Sequence, residues 1–165
     1  MATGAGLVLR VLVDCTLAGA CADWRPIDDG VMGGVSHSRL EAGTEGVAFT
    51  GVVSLDYGGG FASVRSAPRR WPTDGATALA LRVRGDGKRY KLTVRTDGGF
   101  DGVQYQASFE TRAGEWQDVE LPLAAFVASF RGRRVPGAPP LEGAAIRTFG
   151  LMISEKQAGA FRLEV

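Results

Sequence analysis

Apolar side chains recur at every second position over most of this chain. The runs are too short and too regular for helices. Val47, Phe49, Gly51, Val53 and Leu55 share one phase. So do Leu79, Leu81 and Val83, then Tyr90, Leu92 and Val94, and then Val103, Tyr105, Ala107 and Phe109. Phe149, Leu151 and Ile153 follow, and finally Phe161, Leu163 and Val165. A period of two turns alternate side chains toward a core and toward solvent, which is the pattern of antiparallel strands covered on one face. Turn-forming residues separate the runs at Asp56–Gly60, Gly85–Lys88, Asp97–Gly99 and Gly159. Gly85-Asp86-Gly87-Lys88, lying between two alternating runs, predicts a hairpin. The expected fold is all-β, an antiparallel β-sandwich or jelly roll of about nine or ten strands in one domain over 1–165. Pro122–Ala128 predicts at most one short helix. Residues 131–143, rich in Arg, Pro and Gly, predict a long loop, and Leu7–Val13 a first strand rather than a secretory leader.

Composition narrows the function classes. Glycine is 24 of 165 residues while 45% of the chain is hydrophobic, so dense turns coexist with a real core and disorder is excluded. The net charge of +1 gives no electrostatic ground for a nucleic-acid partner. No apolar run approaches the roughly 18 residues of a membrane-spanning helix. Cys15 and Cys21 are the only cysteines and read as free thiols, a disulfide between them being the alternative. His37 is the single histidine, so no metal site and no cofactor are expected.

The densest motif is Ile27-Asp28-Asp29-Gly30-Val31-Met32-Gly33-Gly34-Val35-Ser36. Asp28 and Asp29 read either as turn residues that bind backbone amides or as ligands of a hard cation, which needs six or more oxygens. Gly33-Gly34 lacks the lysine and the strand-to-helix setting of a phosphate loop. Val31 and Met32 are candidates for an exposed apolar patch that meets a protein partner. Downstream, Gly58-Gly59-Gly60-Phe61-Ala62-Ser63-Val64-Arg65 predicts a close strand passage. Arg65 is expected to point inward and to find a carboxylate among Asp28, Asp29 and Asp86.

The polar phase of the central strands carries Arg82 and Arg84, Lys91, Thr93 and Arg95, Gln104, Gln106 and Ser108, then Trp116, Asp118 and Glu120. If these strands are neighbours, the residues form either a plain solvated face or a concave surface for carbohydrate or another small polar ligand. Arg84, Arg95, Gln106 and Trp116 would be its contacts. No catalytic residues stand out. His37-Ser38 has no orienting third group, and nothing distinguishes Glu110, Glu115, Asp118 or Glu120 as an acid pair.

Asp23-Trp24 leading into Asp29-Gly30-Val31-Met32-Gly33-Gly34-Val35-Ser36, followed by Gly59-Gly60-Phe61-Ala62-Ser63-Val64-Arg65, resembles the complex I intermediate-associated protein 30 family. The likeness continues through Arg84-Gly85-Asp86-Gly87 with Tyr90, Tyr105 with Phe109, Trp116-Gln117, Leu121-Pro122, Phe126, Phe130-Arg131-Gly132, Gly150-Leu151 and Gln157–Phe161. The resemblance implies a galactose-binding-like β-sandwich. It also implies an assembly or accessory role through protein contacts, with respiratory-complex subunits as the partners of the mitochondrial members. No set of catalytic residues comes with it. Without a transit peptide, the expected place of action is the cytoplasm. The expectation is a non-enzymatic binding module, with carbohydrate or small polar ligand binding as the alternative.

Overall fold

The computed structural model describes residues 9–43, 45–98 and 102–165. Among them twelve strands form two antiparallel sheets, with four single-turn 3-10 segments between them. The strands are β1 (Arg25–Pro26), β2 (His37–Ala42), β3 (Val47–Val53), β4 (Ala62–Arg65), β5 (Ala78–Arg84) and β6 (Arg89–Arg95). The others are β7 (Gln104–Glu110), β8 (Trp116–Pro122), β9 (Val127–Phe130), β10 (Arg133–Arg134), β11 (Thr148–Ile153) and β12 (Gly159–Glu164). One sheet runs β1-β4-β11-β6-β7-β9-β10 and the other β2-β3-β12-β5-β8.

The apolar phases read from the sequence meet between the sheets. Phe49, Val53, Val83, Tyr90, Val94, Leu151, Ile153, Phe161 and Leu163 are almost completely buried there. Phe49 sits at the centre of an aromatic cluster, 4.9 Å from the Phe161 ring and 6.4 Å from Tyr90. The all-β sandwich is therefore as expected, because a period of two leaves each strand only one way to bury its apolar side.

Several details differ from the sequence reading. Residues 9–13 form no strand, and Leu9 and Val11 lie in solvent; the rest of the Leu7–Val13 segment falls outside the described residues. Gly85–Lys88 is not a hairpin turn. β5 pairs with β8 and β12, whereas β6 pairs with β7 and β11, so this turn carries the chain from one sheet to the other. A turn signature reports a reversal of direction and not which sheet the chain enters next. Gly85 is required at this corner, since a Cβ there would lie 2.3 Å from the Thr111 side chain. Asp86 then ties the sheets together, accepting from the Tyr90 hydroxyl of one (2.9 Å) and from the Arg162 amide of the other (2.9 Å).

The 131–143 loop contains the short strand β10, paired back onto β9; with β1, the other two-residue strand, it brings the count to twelve against the expected nine or ten. Leu123–Ala125 is the expected helical turn; three further 3-10 turns occur at Asp29–Met32, Asp56–Gly58 and Gly143–Ala145.

Candidate functional site

Asp28 and Asp29 lie in the loop from β1 to β2, and backbone donors surround both carboxylates. Asp29 is 1% exposed. It accepts from the Ser36 amide (2.9 Å), the Ser36 hydroxyl (2.5 Å), the Gly60 amide (2.8 Å) and the Phe61 amide (3.4 Å). Burial alone would raise its carboxyl. The bonds from Ser36, Gly60 and Phe61 outweigh that and hold it below the ordinary carboxylate value. Asp28 accepts from the Ser38 amide (3.0 Å), the Ser38 hydroxyl (2.6 Å) and the Ser63 amide (3.0 Å).

The two adjacent acids thus clip the loop to β2 on one side and to the β4 entry on the other. The glycines exist to let them in. A Cβ on Gly34 would lie 2.4 Å from the Asp29 carboxyl carbon, and one on Gly59 would lie 2.5 Å from its Oδ2. The signature motif is a folding clip whose carboxylates are engaged by backbone amides and serine hydroxyls.

The clip holds up an apolar rim. Ser36 and Ser54 bond each other reciprocally through the Ser36 hydroxyl, so Val35 and Leu55 flank one joint. Val35 is 51%, Leu55 44% and Tyr57 78% exposed, and Val52, paired with His37 on the outer side of the same sheet, is half-exposed. Tyr57 has φ 55° and ψ 31°, a left-handed conformation uncommon outside glycine, and its ring stands in solvent. Val31 and Met32 belong to the 3-10 turn of the same loop. Their side chains lie outside the described residues.

The predicted ligand face is divided. Arg84 and Trp116 lie opposite each other on β5 and β8, on the outer surface of the five-stranded sheet. Arg95 and Gln106 lie on β6 and β7, on the outer surface of the seven-stranded sheet, across the whole core. The crossing at Gly85 is the reason, because it places β5 and β6 in different layers. They therefore form no common surface.

On the five-stranded sheet the Arg84 guanidinium sits 5.2 Å from the Trp116 ring centre, with Arg82 at 5.5 Å on the same ring. Arg84 also reaches buried Glu164 (2.5 Å), which Arg162 binds as well (2.9 Å). Burial pushes the Glu164 carboxyl up, but its bonds to Arg162 and Arg84 bring it below the ordinary value. Arg162 continues the network to Glu41 (3.5 Å). This face is an ion-paired, solvated surface whose long side chains cover one another.

The seven-stranded face is different. Arg65 points outward beside it, because Ala62 and Val64 are the core-facing positions of β4. It meets Gln104 Oε1 at 3.4 Å, and not Asp28, Asp29 or Asp86, whose carboxylates have other partners. Arg95 is 3% exposed and pairs with Asp97 (3.1 Å). On the same face Gln106 Oε1 and Thr148 Oγ1 are buried without a hydrogen-bond partner.

His37 points outward while Ser38 turns inward to Asp28, so no nucleophile and base meet there. Glu110 pairs with Arg89, Glu115 with Arg112 and Asp118 with Arg82. Among the described residues no three metal-ligating side chains come together, and no helix is long and apolar enough to cross a membrane. The apolar rim at Val35, Val52, Leu55 and Tyr57 was missed in sequence: Leu55 continues the core phase of β3 but lies beyond the strand's end and is exposed, Val52 is on the outward phase of β3, and Val35 and Tyr57 lie in loops.

The fold is shared with solved carbohydrate-binding modules. A family 11 module from Clostridium thermocellum, solved with a β-1,3-1,4-mixed-linked tetrasaccharide, superposes with a TM-score of 0.64 at 15% identity, covering 93% of this chain and 91% of that one. The family 11 module of the cellulosomal cellulase Lic26A-Cel5E gives 0.62 at 14% identity, over 86% of this chain and 84% of that one. At these identities the likeness is one of fold.

In sequence, the chain is 36% identical over 91 residues to the mitochondrial complex I intermediate-associated protein 30 of Mus musculus and 35% over 95 residues to that of Drosophila melanogaster. Each match covers 53% of this chain but only 28% and 31% of the mouse and fly proteins. An uncharacterized protein of Schizosaccharomyces pombe matches at 28% identity over 162 residues, covering 86% of this chain and 74% of that protein. The sequence model of the complex I intermediate-associated protein 30 family matches residues 14–165, and the chain belongs to that family.

Proposed function

We propose that the chain is a non-enzymatic binding module acting as an assembly or accessory factor, and that its partner is a protein: a subunit of a respiratory complex I assembly intermediate. The observation that carries this reading is the rim of Val35, Val52, Leu55 and Tyr57, exposed on the end of β3 and on the two loops that the Asp29 carboxylate and the Ser36–Ser54 bonds tie together. A preorganised aromatic and aliphatic edge loses little entropy on binding, and a tyrosine projecting from such an edge is a typical energetic anchor. Val31 and Met32 lie in the same loop as Val35 and belong to the proposed surface. The family names of the mouse and fly relatives supply the partner class.

The test is affinity capture of the tagged full chain from its own cells, run beside Tyr57→Ala and Leu55→Ser. Complex I subunits should come down with the native chain and fall at least about tenfold with each variant, while melting temperatures stay within a few degrees. Equal recovery by native and variant chains would remove the rim from the function.

Carbohydrate or small polar ligand binding remains a second reading, now confined to the seven-stranded face with Arg65, Arg95 and Gln106. The buried, unpartnered Gln106 Oε1 and Thr148 Oγ1 favour it, because such atoms cost free energy unless something bonds them. Glycan-array binding that disappears in Gln106→Ala would support it. Silence across a broad array would set it aside.

A further inference from the structure

The segment between Val13 and Trp24 forms no strand. It is a succession of turns in which the amides of Leu17, Ala20, Ala22 and Trp24 bond the carbonyls of Asp14, Leu17, Gly19 and Cys21 (3.1–3.2 Å). These turns fold Cys21 back onto Cys15, bringing the sulfurs to 3.9 Å with both side chains half-buried. Cys15 packs against the turn between β2 and β3, where a Cβ on Gly46 would lie 3.7 Å from its own Cβ. That turn is in turn fastened to the end of the chain, Val165 and Val47 exchanging both backbone bonds (2.9 and 3.2 Å). The two sulfurs line an open cavity of about 730 Å³ between this segment and the β2–β3 turn, with Leu17, Leu40 and Gly43 among its walls.

The pair is asymmetric. The hydrogen bond to Cys21 holds the Cys15 thiol below its ordinary value, against the opposing effects of burial and Asp14. The same bond and burial push the Cys21 thiol up. A lowered thiol beside a protonated one, open to a cavity, is the arrangement of an attacking and a resolving cysteine.

We propose that Cys15 and Cys21 form a thiol–disulfide exchange site that accepts a low-molecular-weight disulfide of the oxidised-glutathione class through this cavity. The Cys15 thiolate attacks one sulfur of the small disulfide, whose S–S bond breaks and releases one thiolate, leaving a mixed disulfide on Cys15. Cys21 gives its proton to solvent and attacks the Cys15 sulfur, displacing the second small thiolate. Two protein thiols are oxidised to one disulfide, and the small disulfide is reduced to two thiols. The sulfurs close from 3.9 Å to the roughly 2 Å of a disulfide bond. The product staples the 15–21 turns beside the junction of β2, β3 and the chain end. The site is independent of the proposed protein-docking rim.

The test is incubation of the reduced full chain with oxidised glutathione, read by intact mass and peptide mapping. The native chain should lose two hydrogens, retain no adduct and return to its starting mass with dithiothreitol. Cys21→Ser should accumulate a glutathione adduct on Cys15, and Cys15→Ser should be modified at Cys21 at least about tenfold more slowly. The two variant rates should converge in urea, which separates the folded environment from intrinsic reactivity. Adducts retained on both cysteines of the native chain, or equal rates for the two folded variants, would overturn the proposal.

Discussion

Asp29 shows how much of a motif's meaning is set by what closes around it. The sequence makes the two acids and the glycines conspicuous, and turn chemistry is a legible reason for both. What it cannot show is that the donors for Asp29 come from two distant places, Ser36 on one side and Gly60–Phe61 on the other. Asp29→Ala leaves these buried donors without an acceptor and should lower stability by about 3 kcal/mol in urea denaturation.

Gly34→Ala drives a methyl group into the same carboxylate and should cost at least about 2 kcal/mol. The acid limb of stability has the same origin. Asp29 and Glu164 are held below their ordinary values of 3.8 and 4.5, so they stabilise the fold fully above those values and progressively less as pH falls beneath them. Stability measured from pH 7 down to pH 2 should drop below about pH 4.5, and Asp29→Asn should start lower and fall less steeply. An unchanged acid slope in that variant would show that Asp29 titrates alike in the folded and unfolded chains.

At the scale of strands and turns, periodicity is informative about what faces the core and uninformative about layers. The apolar phases of β5, β6, β7, β11 and β12 all point where alternation puts them. The polar phases of β5 and β6 look continuous in sequence, yet Gly85–Lys88 sends them to opposite outer surfaces. Arg84 and Trp116 consequently serve an ion-paired sheet face, while Arg95 and Gln106 serve another.

Trp116→Ala should therefore cost about 1 kcal/mol or less, as expected for a partly exposed cation–π contact, and leave partner capture unchanged. Arg65 was misread for a related reason. Its phase matches Phe61, but the core-facing residues of β4 are Ala62 and Val64, so the side chain emerges on the outer face. The rim at Val35, Leu55 and Tyr57 escaped the sequence reading because Val35 and Tyr57 lie in loops, which carry no period, and Leu55 keeps the core phase of β3 although the strand ends at Val53. Its clearest signal, the left-handed backbone of Tyr57, is visible only in three dimensions.

The whole molecule is a β-sandwich of a shape shared with carbohydrate-binding modules, in a family named for association with a complex I intermediate. Neither fold nor family names a ligand by itself, and the proposed protein partner rests on the surface. The five-stranded face is satisfied by its own charges, whereas the rim offers exposed apolar side chains on a fixed support. We propose that this rim, tied to the signature loop through Asp29 and Ser36, meets a complex I subunit. The most direct test is photo-crosslinking in the native cells, with benzoylphenylalanine placed at position 57 and, as the control, at position 82 on the five-stranded face. A discrete crosslink to a complex I subunit is expected from position 57 and none from position 82. The same products from both positions, or none from position 57 in a folded and expressed chain, would contradict the proposal.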